Sequence, residues 1–469
     1  MTNEKKQIVI IGGGITGLTA AFYLQKNNVD ADITLIEASD QLGGKIDTIT
    51  KEGFTIERGP DSFLERKTTA STLAEDLGID GELVRSATGK AYILSEDRLH
   101  PMPKGGVMGV PTEIRPFIFS SLFTWKGKFT ALKDFVVSKT KTEEDLSVGY
   151  FFRRRIGNEM VDRMIHPLIS GIYAGDIDQL SLKATFPQFY AVEQKHKSLI
   201  RGLKKTTPKT QTSGKKKGMF LTLEGGLSRL VESLEAALVE PKIVTNTAVK
   251  HVEKHQQSKK YDVYFHGEKE KITADYVIAT TPHHVTKKIF SQYNFMHDLS
   301  QTKNTSVANV AMAFKAEAIK NLPDGTGFVV TRKGNYRITA CTWTHKKWPH
   351  TTPEGNVLLR AYVGKPGDEE VLDLEDQEIA SLVLKDLRKI MHITEEPLFH
   401  VVTRWRDAMP QYTVGHLDRL QQLEDKLHER LPGVFLVGNA YRGVGLPDCM
   451  DQAIHAVDEI TALQTAKST

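Results

Sequence analysis

The chain has 469 residues, 40% of them hydrophobic and 26% charged, with a formal net charge of +4. That length exceeds what one hydrophobic core serves and calls for two or three domains of ordinary globular composition. So small a net charge makes no electrostatic case for a nucleic-acid partner. No apolar run reaches the ~18 residues of a bilayer span, and the polar opening Met1-Thr-Asn-Glu-Lys-Lys6 lacks the pattern of a secretory leader. Cys341 and Cys449 are the only cysteines, and neither clusters with other ligand types, so a disulfide framework and a metal site are not expected. The expectation is a cytoplasmic protein with reduced thiols.

Residues 7–37 read as strand, helix, strand. The β-branched run Ile8, Val9, Ile10 and Ile11 ends at Gly12-Gly-Gly-Ile-Thr-Gly17, the G-x-G-x-x-G spacing of a dinucleotide-binding turn. Gly12 serves the tight turn, Gly14 lets backbone N–H groups approach a pyrophosphate, and Gly17 lets the helix sit close to the strand. The helix start offers unpaired donors to phosphate oxygens. Leu18, Ala21, Phe22 and Leu24 give that helix an apolar side, and Asn27-Asn28 ends it. The second strand closes at Glu37, twenty residues beyond Gly17, where a carboxylate accepts both hydroxyls of an adenosine ribose and disfavours a 2′-phosphate.

A second glycine pair follows in Gln41-Leu-Gly-Gly-Lys45, then a turn at Arg58-Gly-Pro-Asp-Ser62. Residues 110–200 turn helical. There Phe117, Phe119, Phe123, Trp125 and Phe129 accompany Lys126, Lys128 and Lys133; packing inside a helical domain is expected, and a dip into a membrane interface is the alternative. Residues 204–218 hold six lysines and no acid, the composition of a solvated flexible loop. Beyond it come a helix at 227–238, a strand at 242–245 and a buried-type strand at 274–282 ended by Pro282, with His283-His284 in an apparent loop. This return to the first sheet marks a discontinuous fold. Segments 307–314, 327–331, 338–343 and 357–363 read as a separate sheet, followed by a helix at 376–391. The chain closes with a strand at 434–438, a glycine-rich turn at 442–448 and a helix from about 450, a second strand-turn-helix able to aim a helix N-terminus at a ligand.

These residues resemble the flavin-dependent amine oxidase and phytoene desaturase group and, within it, the water-soluble bacterial protoporphyrinogen/coproporphyrinogen oxidases. The likeness runs over nearly the whole chain. Its more particular motifs are Arg58-Gly-Pro-Asp-Ser-Phe-Leu-Glu-Arg-Lys67, Gly171-Ile-Tyr-Ala-Gly-Asp176, Thr339-Ala-Cys-Thr-Trp343, Met409-Pro-Gln-Tyr412 and Gly443-Val-Gly-Leu-Pro-Asp448. The resemblance implies an α/β fold: a discontinuous Rossmann-type FAD-binding domain (1–66, 219–300, 406–469), a mixed-sheet substrate domain (67–109, 301–405) and an inserted helical domain (110–218).

It also implies FAD, held non-covalently, because the glycine pair and the rear turn provide backbone for a ribityl chain and ring system that NAD does not need. Carried over position by position, Gly12, Gly13, Gly14, Ile15, Thr16 and Gly17 hold the pyrophosphate, and Glu37 with Ala38 the adenosine ribose. Gly43, Gly44 and Lys45 extend the cradle. Gly59, Pro60, Asp61 and Ser62 border the flavin, Val249 meets the adenine through its backbone, and Trp405, Val444, Gly445 and Leu446 frame the ring side. Where the family has R-x-G-G-R, this chain has Gln41 and Lys45, so Lys45 is a phosphate point charge without a bidentate fork.

The activity implied is oxidation of a porphyrinogen to a porphyrin, six electrons in three two-electron flavin reductions, with dioxygen reoxidising the flavin to leave hydrogen peroxide. The implied substrate is coproporphyrinogen III, with protoporphyrinogen IX also accepted, in a haem pathway where a ferrochelatase takes the product. A broad apolar disc bearing propionates needs apolar walls and a basic rim. Lys67 and Arg66 are the rim candidates, and Ile172 and Tyr173 the wall. No catalytic acid or base is assigned, and contact with the inner face of the membrane is a peripheral expectation. Two rival readings stay open: an FAD-dependent amine oxidase, for which Cys449 is the one candidate for a covalent flavin link, and a flavin-binding protein without turnover.

Overall fold

A computed structural model describes residues 5–206, 218–256, 258–267, 270–332 and 334–468. Five parallel strands form the first sheet, in the order Lys242–Val244, Ala31–Ile36, Lys6–Ile11, Tyr276–Ala279 and Val434–Leu436. A parallel sheet is covered on both faces, which is why its central strand is a continuous apolar run: Ile8, Val9 and Ile10 are wholly buried. The first helix, Ile15–Lys26, packs on one face beside Ser228–Ala237 and the last helix, Leu446–Ser468. Every residue from Ile15 to Leu24 is buried, so the helix has no solvent side over that stretch. The opposite face carries the three-stranded antiparallel sheet Val249–Lys254, Tyr261–Phe265 and Lys271–Ala274 with the helix His416–Arg430.

The second sheet has seven strands, in the order Phe399–Pro410, Asn304–Lys315, Asn356–Val363, Ile338–Trp343, Gly327–Val330, Tyr92–Ser95 and Arg98–Pro101. It is mixed because Gly327–Val330 runs parallel to Tyr92–Ser95 while the other neighbours are antiparallel. The helix Asp376–Ile390, opened by a capping box between Glu375 and Glu378, covers one face. The long edge strand Phe399–Pro410 lies outside the strands read from sequence, and it reaches past residue 405 to carry Ala408 toward the first sheet's glycine turns.

Short helices from Ile114–Ile118 to Leu199–Thr206 build the third core around Phe117, Phe123, Phe151, Phe152 and Phe189. At its centre the fully buried Arg155 guanidinium donates to Asp134 at 2.9 Å, and Asp134 also accepts the Ile200 N–H at 2.9 Å and the Ser198 hydroxyl at 2.6 Å. Three expectations need correction. Phe117 and Phe123 are internal, but Phe119, Trp125 and Phe129 stand 79%, 64% and 68% exposed. Lys204 and Lys205 end a helix instead of lying in a loop, while 207–217 fall outside the described residues. His283 and His284 open the helix His283–Ile289, where His283 meets the Thr302 carbonyl oxygen at 2.9 Å.

Candidate active site

The first glycine turn is closed to side chains. A Cβ on Gly17 would fall 2.0 Å from the Gly12 carbonyl oxygen, and one on Gly12, at φ +109°, would fall 2.5 Å from the Thr280 hydroxyl. That hydroxyl donates to the Ile11 and Gly12 carbonyls at 3.0 Å each, bracing the turn from the neighbouring strand. Glu37 accepts the Gly13 N–H at 2.7 Å through one oxygen and the Ser39 N–H at 2.9 Å through the other. Thr247 N–H donates to the Glu37 carbonyl at 2.9 Å, two residues before Val249 opens the strand Val249–Lys254. Ala38 is exposed next to Glu37.

Gly43 N–H donates to Gly13 at 2.9 Å, so the two glycine turns face each other. Gly44 is at φ +61°, and a Cβ there would lie 3.1 Å from the Gly14 Cα, a tight approach of the two backbones. From the rear, Gly438 arrives over Thr16, and the buried Cys449 thiol donates to the Gly443 carbonyl at 4.0 Å. Two helices, Ile15–Lys26 and Leu446–Ser468, therefore begin at these glycine turns. Glycine turns with positive helix ends, and an acid at the close of the second strand, fit a dinucleotide.

Segment 58–62 is held against the second sheet. Trp405 Nε1 donates to the Arg58 carbonyl at 2.6 Å, Asn309 Nδ2 to the same oxygen at 2.8 Å, and Arg360 donates to the Gly59 carbonyl. A Cβ on Gly59 would lie 1.7 Å from the Lys45 carbonyl oxygen and 3.5 Å from the Trp405 ring, so this turn and the Gly43–Lys45 turn touch. Asp61 turns inward to Lys347 Nζ at 2.8 Å, Ser62 Oγ at 2.7 Å and Trp348 Nε1 at 3.3 Å. Despite burial, Lys347 and Arg360 hold its carboxyl well below the ordinary range. Pro60 completes the turn between these anchors. Lys45 Nζ donates to the Ala408 carbonyl at 2.5 Å, and burial lowers its pKa to about 8.

The rear turn hangs on Tyr412. Its hydroxyl donates to the Asn439 carbonyl at 2.6 Å and accepts the Gly443 N–H at 2.9 Å, and its ring stacks on His416 at 4.1 Å. Val444, Gly445 and Leu446 are partly open beyond it. Lys67 forms an ion pair with Asp448 at the end of this turn. Arg66 is exposed next to Lys67.

Tyr173 is buried between Phe186 and Tyr412 while Ile172 is 41% exposed. Gln411 Nε2 donates to the Tyr173 carbonyl at 2.8 Å and lies 3.1 Å from Thr305 Oγ1, tying the helical domain to the second sheet. Burial, together with the nearby Asp448 charge, pushes the Tyr173 phenol up.

The structure thus links the front turns, Trp405, the rear turn and Lys67 through direct contacts, and Tyr173 packs on Tyr412, the anchor of the rear turn. Thr280, Gly438, Tyr412, Gln411 and Arg360 are the positioning residues that sequence reading missed. Tyr412 and Gln411 lie in a motif the resemblance had flagged, whereas Thr280 and Arg360 carried no local signal. No group of residues suited to a metal ion occurs among the described residues, and no helix there is long and apolar enough to cross a membrane.

The model of flavin-containing amine oxidoreductases matches residues 15–461. Coproporphyrinogen III oxidase of Bacillus subtilis (strain 168) is 49% identical over 466 residues, 98% of each chain. The Staphylococcus aureus enzyme of the same name is 42% identical over 466 residues, 97% of this chain and 99% of the other. A crystal structure described as a protoporphyrinogen oxidase from Exiguobacterium sp. 255-15 is similar at a TM-score of 0.88 and 39% identity, covering 98% of this chain and 99% of that one. The chain belongs to the flavin-containing amine oxidoreductase family and is an FAD-dependent oxidoreductase.

Proposed function

We propose that this enzyme oxidises coproporphyrinogen III to coproporphyrin III, and accepts protoporphyrinogen IX as well, in haem biosynthesis. The carrying observation is the place of Lys67: a partly exposed cation paired with Asp448 of the rear turn, whose anchor Tyr412 packs on the buried Tyr173 beside the exposed Ile172. That combination matches a flat apolar macrocycle with carboxylate arms. The end-to-end likeness to relatives named coproporphyrinogen III oxidase supports it.

Residues 12–17, Gly43, Gly44 and the two helix N-termini hold the pyrophosphate, Glu37 and Val249 the adenosine, and the turns at 58–62 and 443–446 the ring. When bound, FAD supplies the oxidising chemistry, taking two electrons per turn so that six leave the porphyrinogen in three rounds and pass to dioxygen as hydrogen peroxide. The chain's part is placement: Lys67 anchors a propionate, Ile172 and Tyr173 support the disc, and the packed turns keep water from the reacting face. The flavin is held without a covalent bond, because Cys449 is buried against Thr16 and its thiol is pushed up to about 12, leaving it protonated and unreactive. Acid precipitation is expected to release the yellow colour to the supernatant; colour retained in the pellet would contradict this.

Exposed Phe119, Trp125 and Phe129 beside exposed Lys126 and Lys133 support peripheral contact with the inner face of the membrane, and the product passes on to a ferrochelatase. The test supplies coproporphyrinogen III, protoporphyrinogen IX and a panel of amines, following porphyrin fluorescence and peroxide. Enzyme-dependent fluorescence with a porphyrinogen and silence with amines is expected. Peroxide from an amine alone would favour the amine oxidase reading.

A further inference from the structure

The ion pair between Lys67 and Asp448 joins segments 381 residues apart. Asp448 lies in the first turn of the helix Leu446–Ser468, where a carboxylate complements the helix dipole. Its other oxygen accepts the Gly445 N–H at 3.2 Å. The rear turn is moulded around this side chain: a Cβ on Gly443, at φ +118°, would lie 2.6 Å from the Asp448 Cβ. The Asp448 charge also acts on the Tyr173 phenol. One carboxylate therefore pairs with Lys67, accepts from the rear turn and lies near Tyr173. The Lys67 and Asp448 side chains are 37% and 22% exposed, so an incoming ligand can reach the pair.

A lysine already paired with a built-in carboxylate does not present its full charge to a second one. An ammonium has three donors and can bridge two carboxylates, but those carboxylates repel each other. We propose that Asp448 is a specificity-determining residue that aims the Lys67 ammonium and competes with the substrate carboxylate for it. A ligand is admitted at this point only if its carboxylate reaches Lys67 from the side away from Asp448. This inference rests on the reading of the cleft as a porphyrinogen site.

Asp448→Asn keeps an oxygen for the Gly445 N–H and removes only the charge. The KM for coproporphyrinogen III is expected to fall by about two- to fivefold, the range of a partly exposed ion pair, with a smaller effect on kcat. Coproporphyrin III, titrated by absorbance onto the FAD-loaded enzyme, is expected to bind tighter by a similar factor. The tetramethyl ester of the same porphyrinogen, which has no carboxylate to compete, is expected to show no shift. Adding Lys67→Ala to Asp448→Asn is expected to erase the gain. An unchanged or raised KM for the acid, or an equal shift for acid and ester, would overturn the proposal. If both Asp448→Asn and Asp448→Ser lose FAD, Asp448 serves the turn and not the lysine, and the proposal also falls. A wild-type enzyme that turns over no porphyrinogen would defeat the substrate reading instead, and the coproporphyrin titration would still report on Asp448.

Discussion

Glu57 shows how one buried residue behind the site makes stability depend on pH. It accepts the Leu227 N–H at 2.6 Å and the Thr48 hydroxyl at 2.7 Å, yet burial outweighs both and raises its pKa to about 7. Between its ordinary value near 4.5 and about 7 the native state keeps a proton that the unfolded chain has lost. Stability from this group is therefore full below that window and is lost as pH rises through it. Glu57→Gln keeps an acceptor for the Leu227 N–H, turns an NH2 donor toward the Thr48 hydroxyl and removes the titration, so the fall in Tm from pH 4.5 to 7 is expected to be shallower in the variant. Parallel Tm curves would contradict this. At the same scale, the glycines and Glu37 of the front turn are legible in the sequence because each requirement is local. Lys45 shows the limit: its residue type reads as a phosphate partner, but its ammonium lies on the Ala408 carbonyl, a contact that depends on a strand more than three hundred residues away.

The elements divide in the same way. The parallel strands were readable as apolar runs between turns, and the two strand-turn-helix units as glycine turns following them. The strand Phe399–Pro410 was not, because exposed Arg406 and Asp407 interrupt its alternation. The aromatics of the helical domain were sorted poorly because Ile114–Ile118 and Trp125–Ala131 are too short to display a stripe. That domain depends on its buried charge pair. Asp134→Ala leaves the Arg155 guanidinium buried without its main counter-charge, and a loss of about 3–5 kcal/mol is expected in denaturant unfolding; a loss below about 1 kcal/mol would show that Glu193, 3.6 Å from Arg155, suffices. The rear turn depends on Tyr412. Tyr412→Phe strands the Gly443 N–H and the Asn439 carbonyl, about 1–3 kcal/mol of lost pairing, and FAD is expected to bind the apoprotein about tenfold more weakly by fluorescence titration. Unchanged affinity would remove Tyr412 from the cradle.

On the scale of the whole molecule, the first sheet draws strands from the front, middle and end of the chain, and that discontinuity brings turns at 12–17, 43–45, 58–62 and 443–448 to one place. The FAD placement proposed above runs along all of them and would tie the separated stretches together. Binding to the native state alone stabilises it, so Tm is expected to rise with added FAD. The helical segment and the second sheet meet beside these turns, through the Gln411 amide on the Tyr173 carbonyl with Ile172 exposed next to it. The most direct measurement is anaerobic mixing of the FAD-loaded enzyme with coproporphyrinogen III, followed by admission of air. Loss of the flavin absorbance before air, then coproporphyrin fluorescence with about three peroxides per porphyrin, is the predicted result; a flavin spectrum untouched by the porphyrinogen would contradict the account.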